Sequence, residues 1–243
     1  MKKYILAMAI MLTAVAAQAK TLIVYYSYTN NVERIVTELR NQIEADVVEI
    51  EPAEKGLNYA ANNYAIGSAQ IAAIRNNPND VASYPAIDPV SVDLSQYSTI
   101  IIGAPLWWSN MAAPLQTFLF QHGAEMSGKN IGLIVSSASS GISGVESDAK
   151  RLIPDGKFLT PSLWIRSSQT SNAPALISEW LKAIEYENLA GIESVASDYA
   201  TDKDMAIYNL SGQRIAGPEN LPKGIYIVKY KDDNLIQTKK IML

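Results

Sequence analysis

Ser27, Thr29, Asn30 and Asn31 stand where an apolar run, Leu22-Ile23-Val24-Tyr25-Tyr26, gives way to an amphipathic pattern. That pattern puts Val32, Ile35, Val36, Leu39 and Ile43 on one helical face. A hydroxyl- and amide-rich turn between a buried strand and a helix presents free backbone N–H groups and the positive end of the helix dipole. Both favour a phosphate. Ser27 and Thr29 add hydroxyl donors, and asparagine tolerates the left-handed backbone of a tight loop. The same residue types also serve as plain helix caps, so the turn alone leaves both readings open.

Two further blocks carry chemical potential. Trp107 and Trp108 are adjacent, in the stretch Ala104-Pro105-Leu106-Trp107-Trp108-Ser109-Asn110-Met111 that follows a buried strand. Consecutive side chains on a strand point to opposite sides, so burial of both indoles in one core is not expected. Ser136-Ser137-Ala138-Ser139-Ser140-Gly141 follows another apolar run, and its small residues allow a ligand to approach the backbone closely. Other chemistries are poorly supplied. The chain has no cysteine and one histidine, His122, which excludes thiolate chemistry and makes a zinc site implausible. Ser139-Ser140-Gly141 lacks the G-x-S-x-G form of a nucleophile elbow. His122 precedes Gly123 and reads as a helix-end residue. No catalytic acid, base or metal ligand is expected.

The elements that must position these blocks alternate between strand and helix. Strand patterns cover Leu22 to Tyr26, Asp46 to Ile50, Thr99 to Gly103, Ile131 to Val135 and Lys157 to Leu163, the last frayed by Pro161. Helical patterns follow each, and residues 81 to 97, with two prolines, read as a loop. Five βα units without a repeat predict a doubly wound parallel sheet. With strand order 2-1-3-4-5, a ligand sits at the switch between strands 1 and 3, where the first two blocks lie.

Taken together, the three blocks resemble the flavodoxin family over roughly residues 20 to 187. There the first loop reads Ser/Thr-x-Thr-Gly-x-Thr and holds the phosphate of FMN; here it reads Ser27-Tyr28-Thr29-Asn30-Asn31-Val32, with Asn30 where glycine is usual and Val32 where threonine is usual. The block Gly103-Ala104-Pro105-Leu106-Trp107-Trp108, followed by Pro114-Leu115 and Phe118-Leu119, resembles the family's flavin loop. The resemblance implies an FMN protein, with flavin contacts from Ser27 to Val32, from Pro105 to Asn110 and from Ser136 to Gly141. Trp107 is the favoured stacking partner of the ring. The resemblance also admits Tyr59 and Tyr64, aromatics before the third strand, within reach of the flavin, with packing the safer reading. The implied activity is electron transfer, or reduction of a small acceptor such as a quinone. The departures at Asn30 and Val32 also admit a non-redox extracytoplasmic binding protein on the same scaffold without flavin.

Length and charge bound the rest. The chain has 243 residues, 48% hydrophobic, enough for one medium domain plus an appendage. Residues 20–201 carry eleven Lys/Arg against nineteen Asp/Glu, an acidic balance that disfavours nucleic acid and anionic membrane. It suits docking to a basic redox partner, although solubility alone is a sufficient reason for it. Residues 1–19 read as an export signal: Met1-Lys2-Lys3, an apolar stretch from Tyr4 to Ala16, and Ala17-Gln18-Ala19 before an expected mature start at Lys20. The apolar stretch is too short to span a membrane comfortably. Residues 188–201 read as a linker. Residues 202–243 predict short antiparallel strands around Ala206 to Leu210, Gln213 to Ile215, Gly224 to Tyr230 and Leu235 to Met242. That tail resembles the carboxy-terminal sorting domains of type IX export, which implies an export-machinery partner.

Overall fold

The computed structural model describes residues 20–189, 192–194, 206–215, 225–232 and 235–242. The expected export signal lies outside the described residues, as does most of the expected linker.

Apolar β-branched runs form the central sheet. Strands β1 (Lys20–Tyr25), β2 (Asp46–Glu49), β3 (Tyr97–Trp107), β5 (Asn130–Ser137), β6 (Lys157–Phe158) and β7 (Leu163–Arg166) pair in parallel, and β4 (Asn110–Met111) folds back antiparallel on β3. The order is β2-β1-β3-β5, with β6 and β7 sharing the far edge beside β5. This is the doubly wound topology expected from the sequence. The fifth strand differs from its expected bounds: it is split into β6 and β7 around residues 159–162 and runs on to Arg166. Proline lacks the N–H that a ladder needs, so Pro161 interrupts the strand rather than fraying its end. Two other strands outrun their patterns. β3 continues through Pro105 and Leu106 to Trp107, and β5 through Ser137, so residues expected in loops belong to strand tips.

Alternation along β1 divides the core. Leu22, Val24 and Tyr26 face a cluster with Ile100, Ile102, Leu133 and Val135, covered by α2 (Ala61–Asn76), α3 (Ala113–His122) and α4 (Ser143–Leu152). Ile23 and Tyr25 face the other side with Ile101 and Ile134, under α1 (Asn31–Arg40) and α5 (Ala173–Ala183). A short α6 (Tyr186–Leu189) follows, and the Tyr186 hydroxyl lies 2.8 Å from Thr21 Oγ1.

The C-terminal part forms its own sheet, ordered β10-β9-β11-β12-β8. Its strands are β8 (Ile192–Ser194), β9 (Ala206–Tyr208), β10 (Arg214–Ile215), β11 (Ile225–Asp232) and β12 (Leu235–Met242). All pairings are antiparallel except β8 with β12. β8 falls inside the expected linker, so part of that segment is sheet. Ile207, Tyr226 and Val228 form a small core of their own.

Candidate functional site

Register brings three strand tips to one level. Tyr25 pairs with Gly103, and Pro105 pairs with Ser136. The chain leaves these tips through the three blocks singled out in the sequence, and together they enclose a cleft of about 440 Å³.

The first wall is the turn from β1 into α1. Ser27, Tyr28, Thr29, Asn31 and Val32 line the cleft. Asn30 takes φ 60° and ψ 4°, the left-handed conformation expected of it, and its exposed side chain does not reach the cleft. The turn is tied locally: the Glu33 amide donates to Ser27 Oγ at 3.3 Å and the Arg34 amide to the Asn30 carbonyl at 3.0 Å. The first-turn amides that precede these, of Asn31 and Val32, have no intrahelical acceptor by the geometry of a helix, and both residues line the cleft. The Val32 side chain, 2% exposed, packs beneath the helix rather than into the cleft. A Cβ on Gly103 would meet Val32 Cγ1 at 3.0 Å and Tyr25 Cβ at 2.9 Å, so only glycine lets α1 settle this closely on β3.

The second wall is the hairpin of β3 and β4. Pro105, Leu106, Trp107 and Trp108 line the cleft. Trp107 is half-buried, edge-on to Tyr26 at a centroid distance of 5.6 Å and 4.8 Å from the ring of Tyr59. Trp108 is exposed at the mouth, edge-on to Tyr64 at 6.5 Å. The expectation that the two indoles do not share one burial direction agrees with this division. Ser109 and Asn110 do not line the cleft. The exposed Ser109 occupies the hairpin turn, and the Asn110 amide is engaged on the far side by Arg75 and Asp148.

The third wall is the tip of β5. Ser136, Ser137 and Ala138 line the cleft, whereas Ser139, Ser140 and Gly141 turn away into solvent. Ser137 Oγ donates to the Ser140 carbonyl at 2.8 Å, which closes the turn and carries the rest of the loop outward. The Trp164 indole donates to the same Ser137 oxygen at 2.8 Å.

Four residues join the cleft beyond those expected of it: Tyr59, Tyr64, Gly67 and Ser167. Ser167 follows the tip of β7 and donates to the Ser137 carbonyl at 3.2 Å. The rule that ligands sit at the carboxyl ends of parallel strands pointed to it, had β7 been carried to Arg166. Tyr59 packs against Trp107 and still reaches the cleft, so packing and lining are not exclusive. Gly67 on α2 lies under Trp108, and no local sequence signal marks it.

The lining is uncharged. Its ionisable groups are tyrosines, and burial pushes the Tyr59 phenol above its ordinary value. Just outside, burial also pushes up the Glu49 carboxyl, which accepts a 2.9 Å bond from the Tyr25 hydroxyl. His122 ends α3, with Nδ1 2.8 Å from Glu125 Oε1, and is not part of the cleft. Among the described residues no cluster of His, Cys, Asp or Glu could hold a metal ion, and no helix is long and apolar enough to cross a membrane.

Solved structures share this architecture. A protein from Bacteroides eggerthii classed as a flavoprotein is 24% identical, with 69% of this chain and 98% of that one covered at a TM-score of 0.55. One from Bacteroides uniformis, classed the same way, is 23% identical over 66% and 98% at 0.53. A Lactobacillus acidophilus flavoprotein, solved in complex with FMN, is 22% identical over 63% and 97% at 0.50. No curated protein matches the chain. The sequence profile of the flavodoxin family, however, matches residues 20–184, which span the whole parallel sheet and all three walls of the cleft, and the chain belongs to that family.

Proposed function

We propose that this protein binds FMN in the cleft and acts as an exported electron carrier, or as a reductase of a small acceptor such as a quinone. The observation that carries the reading is the convergence of three strand tips on one cleft with three different linings. One is rich in amides and hydroxyls, one in indoles, and one in small polar residues. Its volume of about 440 Å³ lies within the range of roughly 300–1,000 Å³ typical of cofactor sites.

The residues suit the parts of a flavin nucleotide. The turn from Ser27 to Val32 offers backbone amides, the Ser27 and Thr29 hydroxyls, and the dipole of α1 to a phosphate. With no cation in the lining, these neutral groups carry the whole task. Trp107 and Trp108 present indole surface to a planar ring and keep water from it. Ser136 to Ala138 present backbone and hydroxyl groups to its polar edge.

FMN supplies the redox chemistry once bound. Among the described residues, the lining of the cleft holds no carboxylate or imidazole to move a proton there. Burial pushes the Tyr59 phenol above its ordinary value, so at neutral pH it stays a neutral hydroxyl that can donate or accept a hydrogen bond and does not act as a base. That set of groups fits electron transfer. Asn30 in the left-handed conformation replaces glycine without loss of the turn, and Val32 leaves its backbone at the cleft while its side chain serves the core. Neither departure favours a scaffold that has lost flavin.

The export reading rests on the residue pattern of positions 1–19, a basic start, an apolar stretch and a small-x-small site before Lys20. The pattern of residues 202–243 supports a tail read by export machinery. The acidic balance of residues 20–201 supports a basic redox partner. Purified protein mixed with micromolar FMN is expected to retain flavin absorbance with quenched fluorescence, to bleach with dithionite and to recover on addition of a soluble benzoquinone. Failure to retain FMN overturns the reading; bleaching without recovery removes the quinone.

A further inference from the structure

The hairpin that carries the two tryptophans has a sequence unsuited to its shape. β3 and β4 are joined by only Trp108 and Ser109, with φ of 47° and 63°. Two central residues with positive φ are the type I′ pattern, which ordinarily calls for Asn-Gly. Tryptophan and serine both carry a Cβ that this conformation crowds, so it persists only where its surroundings hold it.

Those surroundings come from two helices. Arg75 of α2 donates through Nη2 to the Trp108 carbonyl and through Nε to Asn110 Oδ1 at 2.7 Å. Asp148 of α4, 6% exposed, accepts from Asn110 Nδ2 at 2.8 Å and from the Met111 amide at 3.0 Å. Its other oxygen accepts from Arg151 Nη2 at 3.2 Å, and Arg151 is in turn fixed by Gln116 Oε1 at 2.7 Å. A Cβ on Gly144 would lie 1.8 Å from the Ser109 carbonyl oxygen, so α4 also presses on the second turn residue. Arg75 and Asp148 line a separate cavity of about 190 Å³ and do not reach the flavin cleft.

We propose that Arg75 and Asp148 are positioning residues that hold the Trp107–Trp108 hairpin in its left-handed turn, in the shape that receives the flavin; the proposal rests on the flavin reading above. The clamp acts through backbone: it fixes the Trp108 carbonyl and the Asn110–Met111 segment, and the indoles follow.

The test uses the full chain with Arg75→Met, which keeps the aliphatic stem of an exposed residue and removes both of its bonds. The two indoles stand 6.4 Å apart at 80°, close enough to couple in circular dichroism, so the apoprotein reports hairpin geometry without any ligand. Arg75→Met is expected to reduce that coupled signal, to lower the melting temperature of the apoprotein by no more than a few degrees, and to weaken FMN binding about tenfold, because the hairpin must then be ordered on binding. Arg75→Lys, which can still reach the Trp108 carbonyl, is expected to recover part of both. Asp148→Asn is expected to move both in the same direction; if it fails to fold, Arg75→Met decides. A variant Arg75→Met with wild-type dichroism and wild-type FMN affinity overturns the proposal. A wild-type protein that binds no FMN overturns the flavin reading instead, and the dichroism of the apoprotein then judges the clamp by itself.

Discussion

The two turns that face each other across the cleft are held in opposite ways. The β1–α1 turn is held by its neighbours: Glu33 to Ser27, Arg34 to Asn30, and the Asn31 side chain to Thr29 Oγ1 at 3.1 Å all close within six residues. The β3–β4 hairpin is held by Arg75, Gly144 and Asp148, each more than thirty residues away. Asn30 suits its left-handed position, whereas Trp108 and Ser109 do not suit theirs. A locally encoded turn offers the amides for a phosphate, and a globally enforced turn presents the aromatic surface. The first is secure once α1 forms; the second depends on the packing of α2 and α4.

The largest expected effect breaks the first turn chemically and keeps the two amide bonds, Glu33 to Ser27 and Arg34 to Asn30, that tie it. Thr29→Glu places a carboxylate where a phosphate would sit, and repulsion is expected to weaken FMN binding about a hundredfold, roughly 2.7 kcal/mol. Riboflavin, which lacks the phosphate, is expected to bind as before, and the melting temperature to hold or rise, because an acid near a helix N-terminus is favourable. Equal losses for both ligands in a fluorescence titration contradict the assignment of that turn.

Next comes the contact beneath it. Gly103→Ala forces α1 away from β3 and is expected to cost roughly 1–3 kcal/mol in urea unfolding. A cost near zero shows that Val32 and Tyr25 can yield.

The comparison sharpens at the hairpin. Ser109→Gly relieves one left-handed residue and is expected to stabilise the protein by roughly 0.5–1 kcal/mol. In that background Arg75→Met is expected to disturb the dichroism of the indoles less than it does alone. Strict additivity in the double-mutant cycle contradicts the view that Arg75 holds a strained turn.

The smallest effect is one of pH. Burial pushes the Tyr25 and Tyr26 phenols well above the ordinary tyrosine range. Their stabilising contribution is therefore complete below about pH 10, where the unfolded phenols begin to ionise, and is lost as pH rises toward the folded values. The melting temperature is expected to fall above about pH 10, and Tyr26→Phe to make that fall shallower; an unaltered slope contradicts the role of Tyr26.

The same contrast explains what was legible in the sequence. Strand 1, its turn and α1 read correctly because hydrophobic period and turn chemistry are local signals. Alternating βα units pointed to the parallel sheet, and the resemblance to flavodoxins supplied its order. Twelve of the eighteen residues expected at the site line the cleft, and the six that do not are informative. Asn30, Ser109 and Asn110 shape backbone rather than surface, while Ser139, Ser140 and Gly141 lie past the point where the Ser137–Ser140 bond turns the chain outward. The clamp and Gly67 carried no such signal, because their roles exist only after α2 and α4 have packed, and Ser167 was missed because strand 5 was ended too early. The split of strand 5 was foreshadowed by Pro161 but not its extension to Arg166.

The central claim, that the tips of β1, β3 and β5 build one cleft for a flavin nucleotide, is tested most directly by calorimetric titration of the wild-type protein with FMN and with riboflavin. The account predicts one FMN per chain at micromolar concentration or tighter, and riboflavin at least about tenfold weaker because the amide turn then has no phosphate to hold. Absence of FMN binding contradicts it, and so does equal affinity for the two ligands.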